Sequence, residues 1–200
     1  MYRKSLKQLL DILISILALI ILSPVLLLIA VLVKTTSPGP VFFRQDRIGK
    51  NLKIFRVWKF RTMTNEKREV GNKPLIGKVQ GVTAVGYYLR RYKLDELPQL
   101  MNVVQGDMSL IGPRPSVAHQ VPEMNAVQKR RFEVLPGLTG LAQVSGNIHL
   151  SWPERYIFDI QYVDNVSFIN DIRILLRTIF LIIRGEEYYI NKPLKIKLNG

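Results

Sequence analysis

Residues 12–33 have the sequence ILISILALIILSPVLLLIAVLV, and this stretch decides how the rest of the chain must be organised. Its 22 residues are apolar except for Ser15, Ser23 and Pro24. A straight helix of this length extends about 33 Å, which is enough to cross a bilayer core of about 30 Å. A cleaved signal peptide is disfavoured, because the run is longer than the usual ~7–15 apolar residues and no A-x-A site follows it. The sequence therefore predicts that the N-terminal segment enters a membrane.

Two membrane arrangements remain open on the residues alone. Pro24 lies near the middle of the run, where it removes a backbone hydrogen bond, and Ser23 can bind the carbonyl that is thereby freed. Positive residues flank the run on both sides: Arg3, Lys4 and Lys7 before it, and Lys34, Arg44, Arg47 and Lys50 after it. Because positive flanks prefer the cytoplasmic side, a helix that bends at Ser23–Pro24 and returns satisfies both flanks. A proline-kinked single span is the alternative.

The composition restricts the function. The chain has 200 residues, a formal net charge of +14 and 48% hydrophobic residues. This hydrophobicity excludes intrinsic disorder. A positive charge of this size indicates an anionic binding partner. The candidates are nucleic acid, an acidic membrane surface and a phosphorylated substrate. There is no cysteine, and the two histidines, His119 and His149, have no ligand-like spacing. Catalysis would therefore depend on carboxylates, lysines and arginines.

The residue patterns predict a helix-rich α+β fold with short strands. Strands are expected at 41–43, 52–60 and 141–144, with a turn carrying Asp46, Gly49 and Asn51 between the first two. Helices are expected at 85–93, 95–104, 123–132, 153–163 and 169–183, and loops at 64–81 and 106–115. The chain is divided into a membrane segment at 1–35, a cytosolic domain at 36–185 and a C-terminal tail at 186–200.

The last apolar segment, residues 172–183, is too short to cross a bilayer. Arg173, Arg177 and Arg184 are spaced by four and seven residues, so that they share one face of a helix. This pattern is typical of an amphipathic helix that lies in the membrane interface. A core helix with a basic outer face is the alternative.

Residues 94–100, LDELPQL, place two neighbouring carboxylates at the start of a predicted helix. Asp95 is a suitable N-cap, and Pro98 is tolerated in a first helical turn. The helix dipole and the free amide groups there stabilise negative charge, as a nucleophile or a Mg²⁺ ligand requires. An ordinary acidic helix start is the alternative.

Two basic motifs provide candidate phosphate ligands. Arg114 lies between two prolines in residues 106–115, GDMSLIGPRP, where a rigid backbone suits bidentate binding of a phosphate. Lys59 and Arg61 end a predicted strand two residues apart and so share one face. The alternatives are an exposed structural turn for Arg114 and a solvated basic edge for the strand.

Taken together, these motifs carry a specific resemblance. They occur in the order Ser23–Pro24, FFRQ at 42–45 with RIG at 47–49, KFRTM at 59–63, LDELPQL at 94–100, GDMSLIGPRP at 106–115 and PGLTGLAQV at 136–144. Over nearly its whole length the chain thereby resembles the bacterial sugar transferase family. These are the monotopic polyprenyl-phosphate phosphoglycosyl transferases, and the likeness is greatest to their small single-domain members.

The resemblance implies an activity and roles for particular residues. Asp95 would attack the β-phosphate of a UDP-sugar, release UMP and form an aspartyl phosphosugar that undecaprenyl phosphate then accepts. Glu96 would help Asp95 to hold Mg²⁺ and to position the phosphate. The Ser23–Pro24 break would be a re-entrant kink. Positions that match the family's phosphate-binding or supporting residues are Lys59, Arg90 and Arg114, with Asp171 as a further acidic position.

The resemblance also implies where the protein works. It would lie on the cytoplasmic face of the bacterial inner membrane and begin the assembly of an exopolysaccharide, O-antigen, capsule or glycoprotein glycan. Its partners would be UDP-sugar, undecaprenyl phosphate and anionic lipid. Whether it forms a homodimer is left open.

Two other functions stay as alternatives: a membrane-anchored nucleic-acid-binding protein and a non-catalytic scaffold of the same pathway. Nucleic acid is not expected as a partner, because the sequence contains no nucleic-acid-binding motif. Residues 147–152, NIHLSW, lack an arginine that the family pattern has near Asn147. The donor sugar is therefore left open, and likeness to small members favours an N-acetylated one.

Overall fold

The computed structural model of the chain describes residues 2–64 and 81–184, with the side chains of residues 3 and 4 left out. The loop predicted at 64–81 falls outside this description except for its two end residues. The predicted tail at 186–200 lies outside it as well.

The apolar segment forms one long helix, α1 (Lys7–Thr36), preceded by a π-helical turn (Tyr2–Leu6). The helix does not end at the expected break, since Pro24 lies inside it. A proline at this position cannot donate to the carbonyl of Ile20, four residues earlier. The Ser23 hydroxyl donates to that carbonyl instead, at 2.8 Å. The predicted role of Ser23 is thus confirmed, whereas the predicted helix–break–helix is not.

One stripe of α1 packs against the rest of the protein from end to end. Its buried side chains are Lys7, Asp11 and Ser15 in the first half and Ile29 and Val33 in the second. Leu22 packs between these two groups, against the main core. Spacings of four and seven residues keep these side chains on one helical face. By length and composition α1 is the one helix in the described ranges that could cross a membrane.

The opposite face of α1 is exposed and apolar. Large side chains along its whole length are uncovered, including Leu13, Leu17, Ile20, Ile21, Leu27, Leu28 and Val31. An apolar face of this extent is a membrane or partner surface rather than a water-exposed one.

A two-stranded antiparallel hairpin follows α1. It consists of β1 (Phe42–Ile48) and β2 (Ile54–Phe60), with Phe42 opposite Phe60 and Ile48 opposite Ile54. The first strand is longer than predicted, so Asp46 lies in β1 and not in the turn. Arg56 is its cross-strand neighbour and binds the Asp46 carboxylate at 3.0 Å, which favours the extended pairing.

The remaining elements are short, apart from the last two helices. They are α2 (Ala84–Arg91), a 3₁₀ turn (Leu94–Gln99), α3 (Leu100–Val104), β3 (Ser109–Ile111), a 3₁₀ turn (Ala118–Gln120), α4 (Ala126–Lys129), a 3₁₀ turn (Arg130–Glu133), β4 (Gly137–Thr139), α5 (Leu141–Val144), a 3₁₀ turn (Asn147–His149), α6 (Trp152–Asp164) and α7 (Phe168–Arg184). A further 3₁₀ turn, Lys50–Leu52, joins β1 to β2.

Two predicted elements near the middle of the chain are wrong. The loop expected at 106–115 contains β3, which pairs in parallel with β4. The strand expected at 141–144 is the helix α5, and the strand lies earlier, at β4. Gly137 permits this pairing, because a Cβ there would lie 2.1 Å from the Gly112 nitrogen. Gly137 is therefore needed for the close approach of two backbones.

The outward face of α7 is apolar. Asp171 and Ile174 are buried on its inner side. Leu176, Ile179 and Ile183 are exposed on its outer side. The exposed surface of α7 is thus mainly apolar, although Arg173 and Arg184 are exposed on it as well. Its position in a membrane interface stays a prediction.

Candidate active site

The structure brings Lys59, Glu96 and Arg114 together in one partly buried group, of which Glu96 is the buried member. Lys59 Nζ donates to Glu96 Oε1 at 2.7 Å. Arg114 donates from Nη2 to Oε1 at 2.6 Å and from Nη1 to Oε2 at 3.1 Å. Asp95 is the chain neighbour of Glu96 and is 9% exposed. We call Asp95, Glu96, Lys59 and Arg114 the carboxylate site.

Three separate segments build this site. Lys59 lies on β2, the two carboxylates lie in the 94–99 turn that packs against β2, and Arg114 follows β3. The turn starts after Lys93, whose φ of 58° reverses the chain at the end of α2. Asp95 lies inside the turn, so its predicted role as an N-cap is wrong. Its carboxylate is therefore not engaged in capping the turn.

The pKa values of the two carboxyl groups move in opposite directions. Burial, and then the charge of Glu96, raise the pKa of Asp95 to about 6. Burial would also raise the pKa of Glu96, but Arg114 and Lys59 outweigh it, and the pKa lies well below its ordinary value. Glu96 is thus a permanent anion that holds the cations in place, while Asp95 stays ionised near neutral pH but is poorly compensated. Such divergence is typical of catalytic carboxylate pairs.

Arg47 is a site residue that sequence reasoning missed. Its guanidinium donates to Gln45 Oε1 at 2.6 Å. Burial, and then the nearby charge of Arg114, lower the pKa of Arg47 to about 10. If β1 had been predicted to extend to Ile48, the alternation of side chains along it would have placed Arg47 on the same side of the hairpin as Lys59.

A buried ion pair behind Arg114 was also missed. Arg131 donates to Asp159 Oδ2 at 2.8 Å, to the carbonyl of Arg114 at 2.7 Å, and to the hydroxyl of Ser116. Arg131 and Asp159 are 4% and 2% exposed. Burial raises the pKa of Asp159 to about 6. The pair fixes the backbone that presents the Arg114 guanidinium, and no local sequence pattern marks it.

Two other predicted cations have different positions. Arg90 lies in the last turn of α2, and its carbonyl accepts a hydrogen bond from the Lys93 amide at 3.2 Å, next to the start of the 94–99 turn. Arg61 is buried and donates to the carbonyls of Val33 and Ser37 at 3.1 and 2.6 Å. It therefore closes the C-terminal end of α1, and the alternative of a solvated basic edge is wrong for this residue.

Asp171 lies in a second group of side chains, at the other end of α1. Its Oδ2 accepts hydrogen bonds from Lys7 at 2.8 Å and from Tyr2 at 2.6 Å. Its Oδ1 accepts one from Tyr162 at 2.8 Å. These contacts attach the start of α1 to α6 and α7. A role for Asp171 in phosphate binding remains a prediction.

The donor set around Asp95 can be compared with the needs of Mg²⁺. This ion is usually held by one or two carboxylates together with substrate phosphates and water. Asp95 fits that requirement. Both oxygens of Glu96 already accept hydrogen bonds from cations, so Glu96 would have to give one up to become a ligand. In the described ranges no three His, Asp or Glu side chains form a metal cluster.

A carboxylate pair held among cations is an arrangement suited to an enzyme that acts on phosphorylated compounds. The chain belongs to the bacterial sugar transferase family, whose sequence model matches residues 2–185. The family resemblance noted in the sequence is therefore confirmed.

Individual relatives extend over most of the chain. The uncharacterized sugar transferase EpsL of Bacillus subtilis is 41% identical over 181 residues, covering 90% of this chain and 89% of its own length. The exopolysaccharide production protein ExoY of Sinorhizobium fredii is 40% identical, covering 86% and 83%. A UDP-glucose:undecaprenyl-phosphate glucose-1-phosphate transferase of Klebsiella pneumoniae is 42% identical over 87% of this chain, which spans only 39% of that protein.

Proposed function

We propose that this protein transfers a sugar 1-phosphate from a UDP-sugar to undecaprenyl phosphate, at the cytoplasmic face of the bacterial inner membrane. The reaction begins the assembly of a bacterial glycan, as the names of the ExoY and glucose-1-phosphate transferase relatives suggest. The observation that supports the proposal best is the carboxylate site. Lys59 and Arg114 hold Glu96, and the poorly compensated carboxylate of Asp95 lies next to it.

In the first step, an Asp95 oxygen attacks the β-phosphorus of the donor. The bond from that phosphorus to the bridging oxygen breaks, and UMP leaves with the electron pair. The product is an aspartyl phosphosugar. Lys59, Arg114 and Arg47 carry three positive charges against two carboxylates, so the site can accept further negative charge from the diphosphate.

In the second step, an oxygen of undecaprenyl phosphate attacks the same phosphorus and releases Asp95. The product is undecaprenyl diphosphosugar. Magnesium bound through Asp95 and the donor phosphates would neutralise charge on the diphosphate. The acceptor phosphate lies at the level of the lipid headgroups, so the carboxylate site must lie close to the membrane surface.

The packing of α1 supports a position on one side of the membrane. A helix of 30 residues extends about 45 Å, more than a bilayer core of about 30 Å. A domain on one side could not reach both ends of a helix that crosses the bilayer. Here Lys7 at one end binds Asp171, and Val33 at the other binds Arg61. We infer that α1 lies along the membrane surface with its exposed apolar face in the lipid.

Release of UMP tests the proposed activity. Purified protein would be incubated with Mg²⁺, undecaprenyl phosphate and a panel of UDP-sugars, including N-acetylated ones. We expect UMP with at least one donor, and a phosphosugar adduct in the intact mass that is absent from Asp95→Asn. Folded protein that releases no UMP across the panel would overturn the proposal. An adduct that survives the substitution would move the nucleophile to another residue.

A further inference from the structure

A cleft next to the carboxylate site has no role in the mechanism so far. It lies between α5 and α6 and is open to solvent. We call it the α5–α6 cleft. Its lining includes Arg114, Gln143, Asn147, Trp152, Arg155 and Asp159. The space inside it is small, so this cleft suits one part of a donor molecule rather than the whole of it.

Arg114 belongs to both sites. It binds Glu96 in the carboxylate site and also forms part of the cleft wall. A molecule with its diphosphate at Asp95 would therefore extend one of its two ends into the cleft. For a UDP-sugar those ends are the sugar and the nucleoside.

The far wall of the cleft is flat and cationic. The Arg155 guanidinium lies over the Trp152 ring, 4.4 Å from its centre. Arg155 Nε donates to the Leu150 carbonyl at 3.0 Å, which fixes the plane of the group. Arg114 and Arg155 both line the cleft. Burial, and then the charge of Arg114, lower the pKa of Arg155. Planar bases stack on aromatic rings and on arginine planes.

The inner wall offers a polar group for a base edge. Gln143 lines the cleft, and its buried Oε1 accepts no hydrogen bond from any residue in the described ranges. A rotation of this carboxamide toward the cleft would let it accept from a ring N–H and donate to a ring carbonyl. Uracil presents such a pair on one edge.

We propose that the α5–α6 cleft binds the uridine of the donor, with uracil stacked on the Arg155–Trp152 pair. This inference rests on the proposed function for the identity of the nucleotide. The sugar then lies on the opposite side of Asp95, away from the cleft.

Tryptophan fluorescence with UMP as the probe tests this directly, because the chain has only two tryptophans. Trp58 is a matched control, since it also lies under a guanidinium, that of Arg44, at 3.4 Å. UMP should change the emission of Trp58→Phe, in which Trp152 is the only tryptophan. It should leave the emission of Trp152→Phe unchanged. If saturating UMP also left the emission of Trp58→Phe unchanged, the proposal would be overturned.

Kinetics provide a second, independent measurement. Arg155→Met should raise the KM for the UDP-sugar and the inhibition constant of UMP together, by about tenfold, with a smaller change in kcat. If the inhibition constant of UMP is unchanged while the relative rates with different UDP-sugars shift, the cleft holds the sugar and the proposal is wrong. UMP binding that depends on Trp152, without turnover of any donor, would uphold the cleft and overturn the proposed function instead.

Discussion

Arg114 binds both carboxylate oxygens of Glu96, at 2.6 and 3.1 Å. The two hydrogen bonds fix the guanidinium plane next to Asp95. Glu96 occupies the position on this guanidinium that a phosphate could otherwise take. The charge of Glu96 balances the charges of Arg114 and Lys59 in the absence of substrate. These cations are therefore not drawn towards Asp95. Several consequences of this arrangement can be measured.

The Arg114–Glu96 contact should be essential in its bidentate form. We expect Arg114→Lys to lower kcat/KM by about a hundredfold, because one ammonium cannot replace two parallel N–H donors. Glu96→Gln should have an effect of similar size. The measurement is UMP release, with Arg56→Lys as the control for a surface arginine that pairs with Asp46. Nearly normal activity in Arg114→Lys would show that the fixed geometry is not required.

Activity should depend on the ionisation of Asp95. Its pKa is raised from 3.8 to about 6, and only the ionised carboxylate can attack phosphorus. The rate of the first step should therefore fall as the pH decreases through 6 and level off above 7. Single-turnover formation of the phosphosugar adduct, followed by mass against pH, measures this step alone. A rate that stays constant down to pH 5 would contradict the raised pKa.

Removal of the Asp95 charge should stabilise the protein. The folded-state pKa is higher than that of the unfolded chain, so the folded state binds the proton more tightly and the ionised form is penalised. A difference of about two pH units corresponds to roughly 3 kcal/mol. Asp95→Asn should thus raise Tm at pH 8 and lose this advantage below pH 4. Thermal unfolding in detergent at both pH values is the measurement, and a lower Tm for Asp95→Asn at pH 8 would contradict it.

Both ends of α1 should be on the same side of the membrane. The chain has no cysteine, so single cysteines at the exposed positions Ser5 and Pro38 report their own accessibility. In intact cells, neither should react with a thiol reagent that cannot cross the inner membrane, and both should react after permeabilisation. Labelling of only one position in intact cells would show that α1 spans the bilayer.

Asp171 offers a choice between two roles. The structure shows it binding Lys7, Tyr2 and Tyr162, whereas the family resemblance implies substrate binding. We expect Asp171→Asn to lower stability by about 2 kcal/mol, because a buried ion pair loses one partner while Lys7 retains Asp11 at 3.3 Å. The catalytic rate of the protein that remains folded should change little. An unchanged Tm combined with loss of turnover would assign Asp171 to the substrate.

Local patterns in the sequence determined the elements that depend on local physics. Apolar length predicted α1, apolar and aromatic composition predicted the two strands of the hairpin, and Ser23 beside Pro24 predicted its own carbonyl partner. The neighbouring carboxylates and the rigid Arg114 loop also stood out, since each lies in a short motif. The family resemblance then connected motifs that are far apart in the chain.

Only the tertiary structure decided which charged groups from distant parts of the chain lie next to one another. Lys59 and Arg114 meet Glu96 across 37 and 18 residues, and the pKa difference between Asp95 and Glu96 exists only because of that meeting. The Arg131–Asp159 pair and the lengthwise packing of α1 could not be predicted either. Electrostatic energy and burial depend on distance in space, and a single sequence records only distance along the chain.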